Sequence, residues 1–242
     1  MGFKRLFFLG FLMSLLVSCN SGDNGLKKSE KTPAKKSIWR AWIELNDSTD
    51  LPFNFEWTKD STLIVFNAEE KVISNSMELR GDSILIGFPV FANHFIFKLD
   101  TNVLNGFYID PDRKNGRLKL SGLKNQDQRF LGDEKACCSI NKKWRVRFSP
   151  NSPDEYPAIA HFVQNGNKLK GTFLTETGDY RYLEGNIFGT KIKLSTFDGA
   201  HLFLFTGDIL DQEIHGQFYS GKHWNEPWLA ERNDEFQLRH SD

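Results

Sequence analysis

GDSILIGFPVFANHFIFKLDTNVLNGFYI at residues 81–109 can be laid on GTKIKLSTFDGAHLFLFTGDILDQEIHGQFY at residues 189–219. Gly81 falls on Gly189, Phe91 on Phe197, His94 on His201 and Gly106 on Gly216. Further upstream Trp39-Arg40 falls on Trp144-Arg145, and all the offsets lie between 105 and 110 residues. A near-constant offset over half a chain marks two copies of one structural unit. Inside each copy apolar and polar residues alternate over about five to eight positions between Gly, Asn and Asp turns, the period of half-buried strands.

Strands are expected at 38–45, 53–57, 62–66, 83–88, 94–99 and 104–109 in the first half. In the second half they are expected at 144–148, 158–163, 169–174, 180–186, 191–195, 201–205, 213–219 and 236–238. Turn chemistry such as Asn165-Gly166-Asn167, Thr177-Gly178-Asp179 and Phe188-Gly189-Thr190 separates them. The expected fold is all-β, with two tandem antiparallel units at 37–121 and 144–242 joined by a polar connector at 122–143. Each unit must curl to bury its inward face and protect its edges, as a small calycin-like barrel or sandwich does. About a hundred residues per copy suffice for an independent core.

The 242 residues hold 31 Lys+Arg and 31 Asp+Glu with 39% hydrophobic residues, a globular balance that excludes disordered, collagenous and multi-pass membrane chains. A formal charge of zero supplies no electrostatic footprint for a nucleic-acid partner. The apolar set is skewed to 22 Phe, 6 Trp and 5 Tyr against 3 Met, which suits pleated, half-buried surfaces.

At the start of the chain Lys4 and Arg5 precede an apolar run at 6–17 that is too short to span a bilayer comfortably, and Leu16-Val17-Ser18-Cys19 follows. This resembles a bacterial lipobox. The resemblance implies a signal peptide at 1–18, cleavage before Cys19, and acylation of both its sulfur and its new amino terminus. Two or more acyl chains, at about 0.8 kcal/mol per buried CH₂, anchor a protein stably. An uncleaved N-terminal anchor helix is the plainer reading, and either places the mature body outside the cytoplasmic membrane, in the cell envelope, facing the periplasm or at the cell surface. Residues 19–36 are polar and form a tether. Loss of Lys4 and Arg5 with the signal peptide leaves a formal charge of −2.

Beyond Cys19 the remaining cysteines are the neighbours Cys137 and Cys138, with no C-x-x-C in the chain. A vicinal redox pair competes with two ordinary connector thiols, because a bridge between sequence neighbours is strained. The densest polar cluster is Glu176, Asp179, Arg181, Asp198, His201, His215, Ser220 and His223. A metal reading would gather Asp198, His201 and His223, but the spacing is not diagnostic and a turn carboxylate capping backbone amides explains Asp198 equally well. A hydrolase would use Ser220 with His223 and Asp179, yet no G-x-S-x-G elbow exposes that serine. A glycosidase would oppose Glu176 to Glu184 or Asp179, although hairpin acids are usually solvated. Phosphate loops and dinucleotide fingerprints are absent, and no catalytic residue, metal or cofactor is expected. Tyr180, Tyr182, Phe197, Phe218, Tyr219, Trp224 and Trp228 either line a binding groove or fill the core, with Arg181 and Arg232 covering ring faces.

GTFLTETGDYRYLEGN (171–186), KLSTFDGAHLFLF (193–205), GQFYSGKHW (216–224) and WLAER (228–232), with LPFNFEW (51–57) and VFNAEE (65–70) upstream, resemble the module that precedes the thioredoxin domain in TlpA-like disulfide reductase lipoproteins of Bacteroidetes-type bacteria. The similarity covers nearly all of 38–239. The family's W-C-x-x-C redox site has no counterpart here, so no catalytic residue carries over. The resemblance implies a noncatalytic, periplasm-facing lipoprotein module that presents a partner or substrate to a thioredoxin-like protein. Its functional surface is expected at Glu176, Asp179, Arg181, Asp198, His201, Ser220 and His223. The alternative is a calycin-like binder with a small apolar ligand inside a barrel.

Overall fold

Leu202-Phe203-Leu204-Phe205 lets one segment serve two cores. Successive side chains of a strand point to opposite faces. Leu202 and Leu204 therefore enter one apolar cluster, while Phe205 belongs to another and Phe203 packs against it. The computed structural model describes residues 37–238; the expected signal peptide, Cys19 and the tether lie outside the described residues.

The first copy forms β1 (Ile38–Asn46), β2 (Thr49–Trp57), β3 (Leu63–Asn67), β4 (Glu70–Ile73), β5 (Ser76–Arg80), β6 (Ser83–Gly87), β7 (His94–Asp100), β8 (Val103–Ile109) and β9 (Arg117–Lys124). They pair antiparallel in the order β4-β3-β2-β1-β9-β8-β7-β6-β5, leaving an open half-barrel. The second copy forms β10 (Lys142–Phe148), β11 (Tyr156–Asn165), β12 (Lys168–Thr175), β13 (Gly178–Asp179), β14 (Leu183–Phe188), β15 (Lys191–Phe197), β16 (Leu202–Leu210), β17 (Glu213–Ser220) and β18 (Trp224–Arg232). Its order is β11-β10-β18-β17-β16-β15-β14-β12-β13, and an added β11–β12 pairing over eight rungs, from Ala158↔Thr175 to Asn165↔Lys168, closes an eight-stranded barrel. The fold is all-β, with two tandem sheets.

The strand orders repeat: β3, β2, β1, β9, β8, β7, β6, β5 in the first sheet correspond to β12, β11, β10, β18, β17, β16, β15, β14 in the second. Trp39 stands opposite Lys124 and Trp144 opposite Arg232, at equivalent rungs. Gly106 and Gly216 both sit where a neighbour comes too close for a side chain. A Cβ at Gly106 would lie 2.2 Å from the Ile96 carbonyl oxygen, and one at Gly216 would lie 2.2 Å from the Trp228 ring. The pairing of Phe91 with Phe197 is not an equivalence, since Phe91 is exposed in the β6–β7 connection and Phe197 is buried.

Two cores result. Inside the barrel Phe173 stacks on Phe205 at 4.3 Å and Phe205 on Phe218 at 4.4 Å between ring centroids. Trp144, Phe148 and Trp228 pack around them, so the barrel is filled by its own rings. The half-barrel closes its concave face on the outer wall of β15 and β16. Phe197 lies there within 5.0 Å of Phe53, 5.2 Å of Phe88, 5.1 Å of Phe95 and 5.8 Å of Tyr108, centroid to centroid.

Five strands were unforeseen in the pattern, one of them the two-residue β13 inside the expected Thr177-Gly178-Asp179 turn. β5 is exposed at every position and shows no buried alternation. β4 spans only Glu70–Ile73, and β9 extends to Lys124, three residues past the expected connector boundary. β18 contains Pro227, which argues against a strand, but β10 pairs only from Trp228 onward and so never meets the proline. The segment expected as a strand at 236–238 is not one, and the strand expected from Tyr180 begins at Leu183.

Replacing Phe197 by Ala is expected to cost about 3–5 kcal/mol in urea unfolding, the usual range for emptying a buried aromatic site. Phe91→Ala, on an exposed loop, is expected to stay within about 1 kcal/mol of wild type.

Candidate functional site

The β8–β9 loop reads DPDRKNG (residues 110–116) and folds on its own acid. The Asp110 carboxylate accepts from the Asp112 amide at 3.1 Å and from Arg113 Nε at 2.9 Å, while the Asp110 amide donates to the Gly116 carbonyl at 2.7 Å. This loop of the first sheet faces two turns of the second, residues 198–201 and 220–223. Together they enclose a cleft of about 430 Å³. Its floor is Tyr108, Leu118, Ala200 and Leu202; its polar groups are Asp110, Arg113, Lys114, Asn115, His201, Ser220, Lys222 and His223. Volumes of about 300–1,000 Å³ with an apolar floor and a few convergent polar groups are typical of ligand sites.

Each wall is held by a hydrogen bond across the sheets or within a turn. Asn93 Nδ2 donates to the Tyr108 hydroxyl at 2.6 Å, and that hydroxyl donates to the Ala200 carbonyl at 3.2 Å, tying the first sheet to the turn before β16. Burial pushes the Tyr108 phenol up, so it remains a donor at neutral pH. Asp198 Oδ1 accepts from the amides of Ala200 at 3.1 Å and His201 at 2.8 Å, the role of a turn-capping carboxylate. Its Oδ2 meets His201 Nδ1 at 2.8 Å and stands 3.0 Å from Arg181 Nε as an ion pair. Burial and nearby Arg113 push the His223 imidazole below its ordinary value of 6.5, so it is neutral at pH 7. Lys114 and Lys222 are exposed and have no ionic partner among the described residues.

The seven expected site residues are thus divided. His201, Ser220 and His223 line the cleft, with Asp198 buried behind His201. Asp179 and Arg181 belong to a separate groove of about 910 Å³, with Lys168, Lys170, Tyr182 and Glu184. There Asp179 Oδ1 accepts from the Arg181 amide at 2.8 Å, and the Arg181 guanidinium pairs with Glu70 of the first sheet. Glu176 is exposed on the turn after β12 and lines neither.

The chemical alternatives fare accordingly. No hydrogen bond joins Ser220 to His223 among the described residues, and Asp179 lies in the other groove, so a serine relay is not assembled. Glu184 is occupied, accepting from the Ala68 amide at 2.8 Å and from Arg129 Nη2 at 3.3 Å. Among the described residues no group of three or more His, Cys, Asp and Glu side chains is placed to hold a metal ion. Of the seven aromatics, Phe197, Phe218 and Trp228 are core, Tyr180 and Tyr219 pack against it, and only Tyr182 and Trp224 are half exposed.

Arg113, Lys114 and Tyr108 escaped the sequence reading, because the polar search centred on the second copy and DPDRKNG reads locally as a turn. Arg129 escaped it too. This connector residue is 3% exposed and donates to the Ser195 carbonyl at 3.0 Å and to the Phe66 carbonyl, joining the two sheets.

Burial alone would raise the Asp198 carboxyl, but hydrogen bonds from the His201 ring and from the His201 and Ala200 amides outweigh it and hold it below 3.8. A depressed folded value stabilises the protein above the ordinary carboxyl range, and that stabilisation is lost as pH falls through the folded value. Asp198→Asn is therefore expected to lower stability at pH 7 by about 1–2 kcal/mol. The gap should narrow when denaturation is repeated below pH 3.8.

No family model and no curated protein matches the chain. Among solved structures it is similar to a candidate outer-membrane protein of Bacteroides fragilis, at 11% identity over 81% of this chain and 94% of that one, with a TM-score of 0.27. It is also similar to HpuA from Kingella denitrificans in complex with human haemoglobin, at 11% identity over 81% of this chain and 87% of that one (TM-score 0.25). The apo form of that haemoglobin receptor matches at 11% identity over 85% and 90%, with a TM-score of 0.25.

Proposed function

We propose that this chain is a noncatalytic binding module, held in the bacterial cell envelope by lipid on Cys19, that presents a protein partner or substrate to a TlpA-like thiol–disulfide oxidoreductase. The cleft between the sheets carries the reading: an apolar floor rimmed by Arg113, Lys114 and Lys222, where Arg113 pairs with Asp110 and His201 meets Asp198 while the two lysines have no ionic partner among the described residues. The redoxin connection rests on the resemblance of residues 38–239 to the module of those lipoproteins. The stacked rings of Phe173, Phe205 and Phe218 leave the barrel axis occupied, which weighs against apolar cargo inside it. A small ligand would instead take the inter-sheet cleft, whose size suits one.

The soluble body, residues 37–242, is expected to retain a thioredoxin-fold protein from an envelope extract and to reduce no insulin alone. Lys114→Glu with Lys222→Glu is expected to weaken retention at least about tenfold, since reversed rim charges slow encounter and oppose the partner's field. Retention indifferent to both charges, or a co-purified small molecule with no protein, would overturn the partner reading. Separately, Cys19→Ala is expected to move the protein from the membrane fraction to the soluble one and to abolish fatty-acid labelling; unchanged membrane association would remove the lipid anchor from the account.

A further inference from the structure

We infer that Cys137 and Cys138 form a redox-active vicinal pair that closes reversibly to a disulfide. Neighbouring side chains on an extended chain point to opposite sides. Here the backbone bends at both residues, and the two Sγ atoms face each other at 2.9 Å. Both cysteines are exposed, so an exchange partner can reach them.

The approach is built into the segment. On one side Ala136 bridges Gly189, its amide donates to Asn167 Oδ1 at 2.9 Å, and Asn167 Nδ2 donates to the Glu134 carbonyl at 2.6 Å. The Cys137 amide donates to the Gly189 carbonyl at 2.9 Å. On the other side Gln164 Nε2 donates to the Cys138 carbonyl at 3.0 Å while its Oε1 accepts from the Ile140 amide at 2.8 Å. The Ile140 carbonyl in turn accepts from Trp144 Nε1 at 3.0 Å. The barrel's β11–β12 turn thus fixes the chain on both sides of the bend, and closing the ring orders no further backbone.

Adjacent Cα atoms are about 3.8 Å apart, below the roughly 4.4 Å at which disulfides ordinarily begin. A bridge formed there is strained, and strained, exposed disulfides are the readily reduced ones. The bond is therefore a reversible element rather than a staple. The Cys137 thiol is pushed up to about 11, by burial first and by Cys138 next, so at neutral pH exchange is slow without a catalyst.

The oxidant is a disulfide, either of a small thiol such as glutathione or of a protein. One cysteine loses its proton and its sulfur attacks the oxidant, breaking that S–S bond and releasing one thiol. The second cysteine, deprotonated in turn, attacks the mixed disulfide and expels the other thiol. Two S–H bonds and one S–S bond are broken, one S–S bond and two S–H bonds form, and two electrons pass to the oxidant.

The chain carrying Cys19→Ala, whose only cysteines are these two, can be equilibrated across a graded series of glutathione buffers, alkylated and digested. The expected result is a peptide carrying both cysteines, unalkylated and lighter by two hydrogens, appearing in one two-electron transition and recovered as dithiol with dithiothreitol. Cys138→Ala should instead give a glutathione adduct on Cys137. Two alkylated thiols across the whole series, or oxidation only to mixed adducts or chain-to-chain dimers while both Cys137 and Cys138 are present, would overturn the inference. No partner protein enters this test, so its outcome is independent of the proposed binding role.

Discussion

The wall formed by β15 and β16 is buried on both faces, and the remainder of the architecture is arranged around that fact. One face belongs to the barrel, through Ile192, Leu194 and Phe205; the other carries Phe197, Leu202 and Leu204 into the half-barrel. Backbone groups of a strand buried on both sides still need partners. At Phe197 the seam supplies them with a side chain that imitates a neighbouring strand: Asn67 Nδ2 donates to the Phe197 carbonyl at 2.9 Å and Asn67 Oδ1 accepts from the Phe197 amide at 3.2 Å. Arg129 adds donors to the Ser195 and Phe66 carbonyls. Removal of either residue would leave buried backbone groups without partners, the costlier side of hydrogen-bond energetics.

This arrangement explains why two copies of one topology end differently. In the second copy β12 pairs with β11 along its length and also with β14, from Lys168↔Asn186 to Gly171↔Leu183, which closes the ring and abolishes the edges. In the first, the short β3, β4 and β5 leave the ring open, and the space that closure would have occupied holds the barrel's wall. The exposed edges that remain are blunted by charge, since β5 carries Glu78 and Arg80 in a paired contact at 3.0 Å. The barrel supplies the rigid body, and the half-barrel supplies a second surface against which a cleft can form.

The cleft lies at the joint between the copies, and the cysteine pair lies where the connector meets the second copy. The cleft arises where the DPDRKNG loop of the first sheet meets the turns around Ala200 and Gly221 of the second. The cysteine pair arises where the connector is stitched to the β11–β12 turn and to Gly189. Neither sheet alone contains both sides of the cleft.

The alternation, the turn residues and the repeat at near-constant offset determined the all-β class, the tandem organisation and most of the strands, because period-two burial and glycine turns are local properties of the chain. Tertiary structure alone decided that one sheet closes and the other wraps it, since closure depends on β12 meeting β14 as well as β11. It decided that Phe197 and Trp228 serve as core, and that Asp198 caps the turn before β16 and pairs with His201. It also divided residues close in sequence, such as Asp179 and Asp198, between a groove and a buried seam, while bringing Arg113 and His223 from different copies to one cleft. Adjacent strand residues point to opposite faces, and no local pattern records which distant surface each face will meet.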